Sequence, residues 1–397
     1  MNFKVFDIGG SFIKIYDSNS KEIIRIEQFS QNIISLASLK NIINENINET
    51  TDYIGISSQM HGFILFDEYD NNISDFITWK NYANFNILYE NTFENFNITG
   101  LKKRNDLPIN NLYQFLTENS VSNKKIKFKN ITEGILDESI NVTHDTIACG
   151  HGFYNIVTET YEEKYIQYFK NKFNIDLIFD NVIKNNQISG YIYYKSKKIP
   201  VYIGLGDLQA SVNSFNFNNK FLLINMATGS QIVSVVNELP INIEENISYR
   251  PFFGNYLRCI THIPSGRFLN IFNNFFDEFK INFWDLINNL TLNDLYNSNL
   301  DISTDIFCKN GISIHNIKES NFNIKNVISS LLYSYIHQYI KLIKENMFTY
   351  DFILLSGGIG KKIKLIKLII EKELNKKVII NETDDDSLFG VIKFINA

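Results

Sequence analysis

Cysteine is scarce, with three residues, Cys149, Cys259 and Cys308, in a chain of 397. They stand far apart and without metal-binding spacing, which argues against a zinc centre or a disulfide framework and for reduced, partly buried thiols. No apolar run approaches the ~18–20 residues needed to cross a bilayer, so a membrane span is not expected. Positive charge is not in excess: Lys and Arg total 38 against 43 Asp and Glu, for a net charge of −5. A broad nucleic-acid surface is therefore not expected. The opening MNFKVFDIGG has no cationic start, apolar stretch and small-residue cleavage site, so a cytoplasmic location is expected. Sequon matches such as Asn97-Ile98-Thr99 and Asn141-Val142-Thr143 are then chance products of an Asn-rich composition.

What remains is globular: hydrophobic residues make up 44% and charged residues 20% of the chain. Single cores rarely grow beyond ~250–300 residues, so two domains are expected, 1–199 and 200–397. Residues 3–8 and 12–16 read as two strands around Gly9-Gly10-Ser11, with a further strand within Lys21 to Glu27. Helical spacing of Ile34, Leu36, Leu39 and Ile42 follows, and then a buried strand at Tyr53-Ile54-Gly55-Ile56. The combination predicts a mixed α/β domain with a ligand edge at the strand ends.

A second cycle begins near residue 200 with a strand from Pro200 to Gly204, a helix from Gly206 to Phe215, and a hairpin at 221–226 and 231–236. Its turn, Ala227-Thr228-Gly229-Ser230, aligns with the first turn when FDIGGSFIKIY is set beside NMATGSQIVSV, as an old duplication would leave it. Periodic apolar residues from Val327 to Met347 predict a long helix packed on a sheet. A buried strand at Phe352-Ile353-Leu354-Leu355 then leads into the glycine turn Ser356-Gly357-Gly358-Ile359-Gly360, a setting in which backbone can approach a nucleotide closely.

Phosphoryl transfer needs phosphate cradles, a carboxylate-held magnesium ion and a base at the acceptor hydroxyl. Asp7 precedes Gly9-Gly10-Ser11, where a carboxylate can face hydrated magnesium while turn amides face phosphate, although alone the segment reads more readily as an ordinary hairpin. In Gly204-Leu205-Gly206-Asp207-Leu208-Gln209-Ala210-Ser211, Asp207 opens a helix. There it is either an ionised proton acceptor or an N-cap, and the spacing leaves both open. Ser57-Ser58-Gln59-Met60-His61-Gly62 offers an amide, an imidazole and an apolar side chain at one strand end, a mix that suits a polyhydroxylated ligand. A lone His61 is more commonly structural, and Trp79, one of two tryptophans, is more commonly core.

The order DIGGS, ISSQMHG, TWKN, GLGDLQASV, ATGS and LSGGIG resembles the FGGY carbohydrate kinases over nearly the whole chain. GLGDLQASV, NMATGSQIV, YRPFFGNYLRCITHIPSGRFL and VIINETDDDSLFGVIKFI are most similar to the sedoheptulokinase branch, with the xylulokinase branch next. The resemblance implies two ribonuclease-H-like, actin- or hexokinase-like domains around a central cleft, with sugar bound mainly by the first and ATP by the second. It implies Asp207 as catalytic base, Asp7 and Asp207 toward magnesium, and Gly9, Gly10, Ser11, Lys14, Thr228, Gly229, Gly357 and Gly358 toward ATP. Gln59, Met60, His61, Trp79, Asn81 and Asp207 would line the sugar site. The implied reaction carries the ATP γ-phosphoryl group to a primary hydroxyl of a ketose, sedoheptulose giving the 7-phosphate, with a pentulose kinase or a non-catalytic sugar sensor as alternatives and a homodimer as an expected state. Two motifs depart: Gly10 stands where threonine is common, and the family's Trp-x-Asp-x-Arg reads Trp79-Lys80-Asn81-Tyr82-Ala83.

Overall fold

The computed structural model describes residues 1–27, 32–121, 124–215, 220–227, 229–244, 247–263, 266–303, 312–383 and 385–397. Thr228 and Cys308 lie outside the described residues, so the roles expected of them are not addressed below. Cys149 and Cys259 are buried. Among the described residues no helix is long and apolar enough to cross a membrane.

The chain forms two compact units, one made of 1–216, 237–257 and 385–397, the other of 217–236 and 258–384. Residues 200–216, 237–257 and 385–397, grouped with the second half on sequence grounds, thus pack in the first unit. For the first and last of these the reason is a helix pair. Asp207–Asn213 lies against the terminal helix Asp386–Ile395. Gly390 makes the approach possible: a Cβ built on it would stand 1.7 Å from the carbonyl oxygen of Ala210.

The first unit is organised by a mixed sheet in the order Ile23–Glu27, Phe12–Asp17, Phe3–Ile8, Tyr53–Ser58, Lys197–Tyr202, Ile188–Tyr194, Glu138–Ser139, with Leu205–Gly206 also paired to Tyr53–Ser58. Side chains alternate across a strand, so Val5 and Phe6 fall in different cores. On one face Phe6, Ile8, Ile54 and Ile56 meet Leu36, Leu39 and Ile43 of the helix Leu36–Asn46, whose start is capped by the Ser35 hydroxyl. On the other, Val5 and Leu205 meet Ala210, Leu388 and Val391 from the helix pair. A separate aromatic core gathers Phe63, Phe93, Phe96, Phe128, Phe153 and Phe169.

In the second unit the strands run in the order Ser230–Val236, Phe221–Met226, Phe352–Ser356, Val378–Ile380. The long helix is Ile324–Glu345, begun by an Asn323 side chain that accepts from the Asn326 amide. Its Leu331, Leu332, Tyr335, Tyr339 and Ile343 are buried with Leu222, Ile224, Ile353 and Leu355. Each unit therefore contains an antiparallel hairpin whose first strand also pairs in parallel with a later strand: Phe3–Ile8 with Tyr53–Ser58, and Phe221–Met226 with Phe352–Ser356. That shared arrangement is the structural counterpart of the two similar turn sequences.

Candidate active site

Three parallel strand ends lie side by side in the first unit. Register pairs Asp7 with Ser57 and Ile8 with Ser58, while Leu205 and Gly206 pair with the same Ser57 and Ser58. The carboxyl ends of these strands therefore deliver Asp7, the Gln59-Met60-His61 run and Asp207 to one edge, where α/β sheets usually hold ligands. Glycine is required for the approach: a Cβ on Gly204 would stand 2.4 Å from Thr132 Cγ2, and one on Gly206 would stand 2.8 Å from both Gln209 Oε1 and the Thr146 carbonyl.

Asp7 is buried and accepts two hydroxyl hydrogen bonds, from Ser57 at 2.8 Å and from Ser387 at 2.5 Å. Burial raises its carboxyl from the ordinary range, against the lowering effect of the Ser387 bond and of Lys14. Asp207 is the first helical residue, with Gly206 as the cap, and its Oδ1 accepts from the Leu208 amide at 2.8 Å. Burial and then the charge of Asp7 push the Asp207 carboxyl up to about 6. The helix start therefore does not hold the carboxyl at its ordinary 3.8, although it remains largely ionised at neutral pH. Desolvation of a carboxylate and a second carboxylate nearby outweigh the small field of a short helix.

The Gln59-Met60-His61 run is held from behind by Asn130, fully buried, whose amide donates to the carbonyls of Gln59 (3.3 Å) and Gly62 (3.0 Å) while its oxygen accepts from Ser58 (2.7 Å). His61 Nδ1 lies 2.9 Å from the Gly150 carbonyl. A carbonyl only accepts, so Nδ1 carries the proton and Nε2 presents a lone pair. Burial, with help from Arg250 and Arg104, holds the imidazole well below its usual range and so neutral. Both amide atoms of Gln59, the Gln209 Oε1 and both ring nitrogens of His151 are buried without a hydrogen-bond partner. Buried polar groups are normally paired, so the Gln59 amide, beside Met60 and His61, is the one of these that a polar ligand at the strand ends could satisfy.

The two motif departures are coordinated with their surroundings. A Cβ at Gly10 would stand 3.1 Å from Trp79 Nε1 and 3.5 Å from Lys80 Cε, so a threonine there meets the indole. Lys80 in turn donates its ammonium to the Gly10 carbonyl. Trp79 thus packs beside the turn of the first hairpin. Asn81 donates its side-chain amide to Asn111 Oδ1 at 3.2 Å and its carbonyl accepts from Asn111, a use that ties the segment to its neighbour. Ala83 exchanges bonds with Asn105: its amide donates to the Asn105 carbonyl (3.2 Å) and its carbonyl accepts from the Asn105 side chain (3.0 Å). Where the motif has lost its Asp and Arg, this pairing brings up the ion pair of Arg104 Nε with Asp106 at 3.0 Å.

Sequence reasoning did not single out Ser387, Asn130, Arg104, Asp106 or Arg250. Lys14 pairs in register with Asp7 and its ammonium lies 3.5 Å from Asp385. In the second unit Gly357 has φ +86 and its Cβ would stand 2.3 Å from the Met226 carbonyl oxygen, so only glycine fits. It joins Gly358 and Gly229 at one sheet end, since Asn225 pairs with Ser356 and Met226 with Ser230. Space around the Cβ positions of Gly229 and Gly358 is open.

Two carboxylates, Asp7 buried and Asp207 half-buried, neither in an ion pair among the described residues, make a donor set of the kind that favours a hard divalent cation. Among the described residues no group of three or more His, Cys, Asp or Glu could hold a metal. An ion here would take much of its coordination from water and phosphate, as magnesium does.

No curated protein matches the chain. Among solved structures it is similar to a ligand-bound xylulose kinase from Lactobacillus acidophilus, at 16% identity and TM-score 0.78, covering 100% of this chain and 89% of that one. A gluconate kinase from the same organism gives the same values. A Plasmodium falciparum glycerol kinase with ADP has 12% identity and TM-score 0.74, covering 99% and 88%. The fold is thus the actin- and hexokinase-like ATPase type of these kinases. Residues 13–213, just over half of the 397, match the family model for the N-terminal domain of the FGGY family of carbohydrate kinases, and with both sheets and the paired strand-end carboxylates in place the chain belongs to that family.

Proposed function

We propose that this carbohydrate kinase transfers the γ-phosphoryl group of ATP to a terminal primary hydroxyl of a ketose, with Asp207 as general base. The observation that carries the reading is the side-by-side register of Asp7, Ser57–Ser58 and Gly206, which brings the Asp207 helix start and the Gln59-Met60-His61 run to the end of the strand carrying Asp7. A base with its carboxyl near 6 is largely ionised at neutral pH yet basic enough to accept a hydroxyl proton as the oxygen attacks phosphorus. Gln59, Met60 and His61 bind the sugar. Gly9 to Ser11 with Lys14 contact phosphate, and Gly229, Gly357 and Gly358 contact the nucleotide. Trp79 and Asn81 shape the sugar and phosphate ends of the pocket mainly through Gly10 and Asn111. Magnesium, held toward Asp7 and Asp207, would neutralise charge on the transferring phosphoryl group.

The GLGDLQASV and YRPFFGNYLRCITHIPSGRFL segments favour sedoheptulose as acceptor, with xylulose as the second choice. A sugar sensor is less well supported, because Gly10 and Ala83 sit in surroundings fitted to them rather than in damaged ones. The test is ADP release with magnesium-ATP and sedoheptulose, xylulose, ribulose, gluconate and glycerol. Sedoheptulose or xylulose should stimulate ADP release above background. If none of the five does, the kinase reading is wrong.

A further inference from the structure

Arg250 comes from a segment remote in sequence, yet it reaches the residues assigned to the sugar. It is buried, 5% exposed. Its Nη1 lies 3.0 Å from Met60 Sδ and its Nη2 lies 3.4 Å from His61 Nε2. Its Nε has no hydrogen-bond partner. No carboxylate among the described residues forms an ion pair with it, whereas the neighbouring Arg104 is paired with Asp106. A buried guanidinium is normally paired with an anion or saturated with acceptors, because desolvating it otherwise is costly. Arg250 has a thioether, a weak acceptor, and an imidazole nitrogen beyond the usual 2.7–3.2 Å range of an N–H bond.

We propose that Arg250 and His61 together read one hydroxyl group of the acceptor sugar. The tautomer argued above makes Nε2 an acceptor, and Nη2 is a donor. A hydroxyl placed against both accepts from the guanidinium and donates to the imidazole, using its two capacities at once. The pair is selective by chemistry. A carbonyl or carboxylate oxygen satisfies Nη2 but meets the Nε2 lone pair without a proton to give. A hydrogen in place of the hydroxyl leaves both nitrogens unmet. An acceptor with a hydroxyl at this point is therefore favoured over one that puts a carbonyl or carboxylate oxygen there, and over the matching deoxy sugar. Gln59, with both amide atoms unpaired, supplies further contacts beside it.

The inference rests on the kinase reading of the same site, and the experiment separates the two. Wild type, Arg250→Met and Arg250→Lys are compared for kcat and KM on the preferred ketose, its deoxy analogues and gluconate, and for sugar-induced thermal stabilisation without ATP. The wild type should lose at least ~10²-fold in kcat/KM on one deoxy analogue, since sites built to bind a hydroxyl discriminate strongly. Arg250→Met should raise the sugar KM ~10-fold or more, erase that discrimination and leave the KM for ATP within about threefold; Arg250→Lys should restore part of it. Circular dichroism establishes that the variants are folded; if Arg250→Met does not fold, Arg250→Lys carries the comparison through its sugar KM. A folded variant with unchanged sugar KM and unchanged discrimination overturns the assignment. Sugar that stabilises the wild type but not Arg250→Met, with no turnover in either, sinks the kinase reading and keeps this one.

Discussion

At Asp207 two electrostatic effects oppose each other, and their balance sets both activity and stability. The helix start and the Leu208 amide favour charge, whereas burial and Asp7 disfavour it and leave the carboxyl near 6, against 3.8 when unperturbed. The native state therefore holds the proton more tightly than the unfolded chain. The associated stabilisation is fully present below 3.8 and is lost as pH rises through about 6. Asp207→Asn removes the titration. Its unfolding free energy should exceed that of the wild type at pH 8, by up to about 3 kcal/mol at 1.36 kcal/mol per unit, and converge with it toward pH 4. Its kcat/KM should fall ~10²–10⁴-fold, and the wild-type profile should show an acid limb near 6. Denaturation and initial-rate profiles over pH 4–8 check both. A variant that keeps turnover removes Asp207 as base; one that gains no stability at pH 8 removes the electrostatic account. This residue was legible because its glycines and the QMHG run are short-range signals. Arg250 and Ser387 were not, since each acts on a residue about 190 or 380 positions away, and only the fold reveals such a partner.

The helix Asp207–Asn213 has its position fixed by what crosses it. Gly390 sits where the terminal helix touches the Ala210 carbonyl, and the Asn213 side chain donates to the Gly390 carbonyl at 2.8 Å. A methyl group at 390 cannot fit without moving one helix against the other. Gly390→Ala should destabilise by ~1–3 kcal/mol despite alanine's better helix propensity. Because Asp207 moves with its helix, kcat should fall more than the KM for ATP changes. Denaturant melts and steady-state kinetics test this, and a Gly390→Ala protein as stable and as active as the wild type would show that the crossing has slack. Element types were legible from periodicity: strands at 3–8, 12–17 and 53–58 and the long helix at 324–345 follow the apolar spacing to within a few residues. What packs on what was not, because an apolar stripe names no partner. The terminal segment DSLFGVIKFI does not disclose its partner until Leu388 and Val391 are seen against Val5 and Ala210.

The chain's path through its two units makes the last thirteen residues part of the first one. The first unit begins at residue 1, is left at 216, re-entered for 237–257, and completed by 385–397. This is why a cut between 199 and 200 does not follow the packing. A chain ending at residue 384 would lose Leu388, Val391 and Phe394 from the core they share with Val5, Leu205 and Ala210, and would lose the Ser387 hydroxyl from Asp7. Three buried apolar side chains at about 1.5–3 kcal/mol each remove roughly 5–9 kcal/mol, comparable with the whole ~5–15 kcal/mol that holds a domain folded. Exposed Leu208 and Ala210 would then leave the Asp207 helix without a lid, so ATP-dependent sugar phosphorylation should be undetectable and residues around 207–213 should become cleavable by protease. The second unit draws its core from Leu222, Ile353 and the helix Ile324–Glu345, none of them touched by the deletion, and should keep its protection. Limited proteolysis with mass mapping distinguishes the outcomes: cleavage confined to the first unit agrees with this ledger, while a truncated protein that stays resistant and active shows that the helix pair contributes far less than its buried area implies.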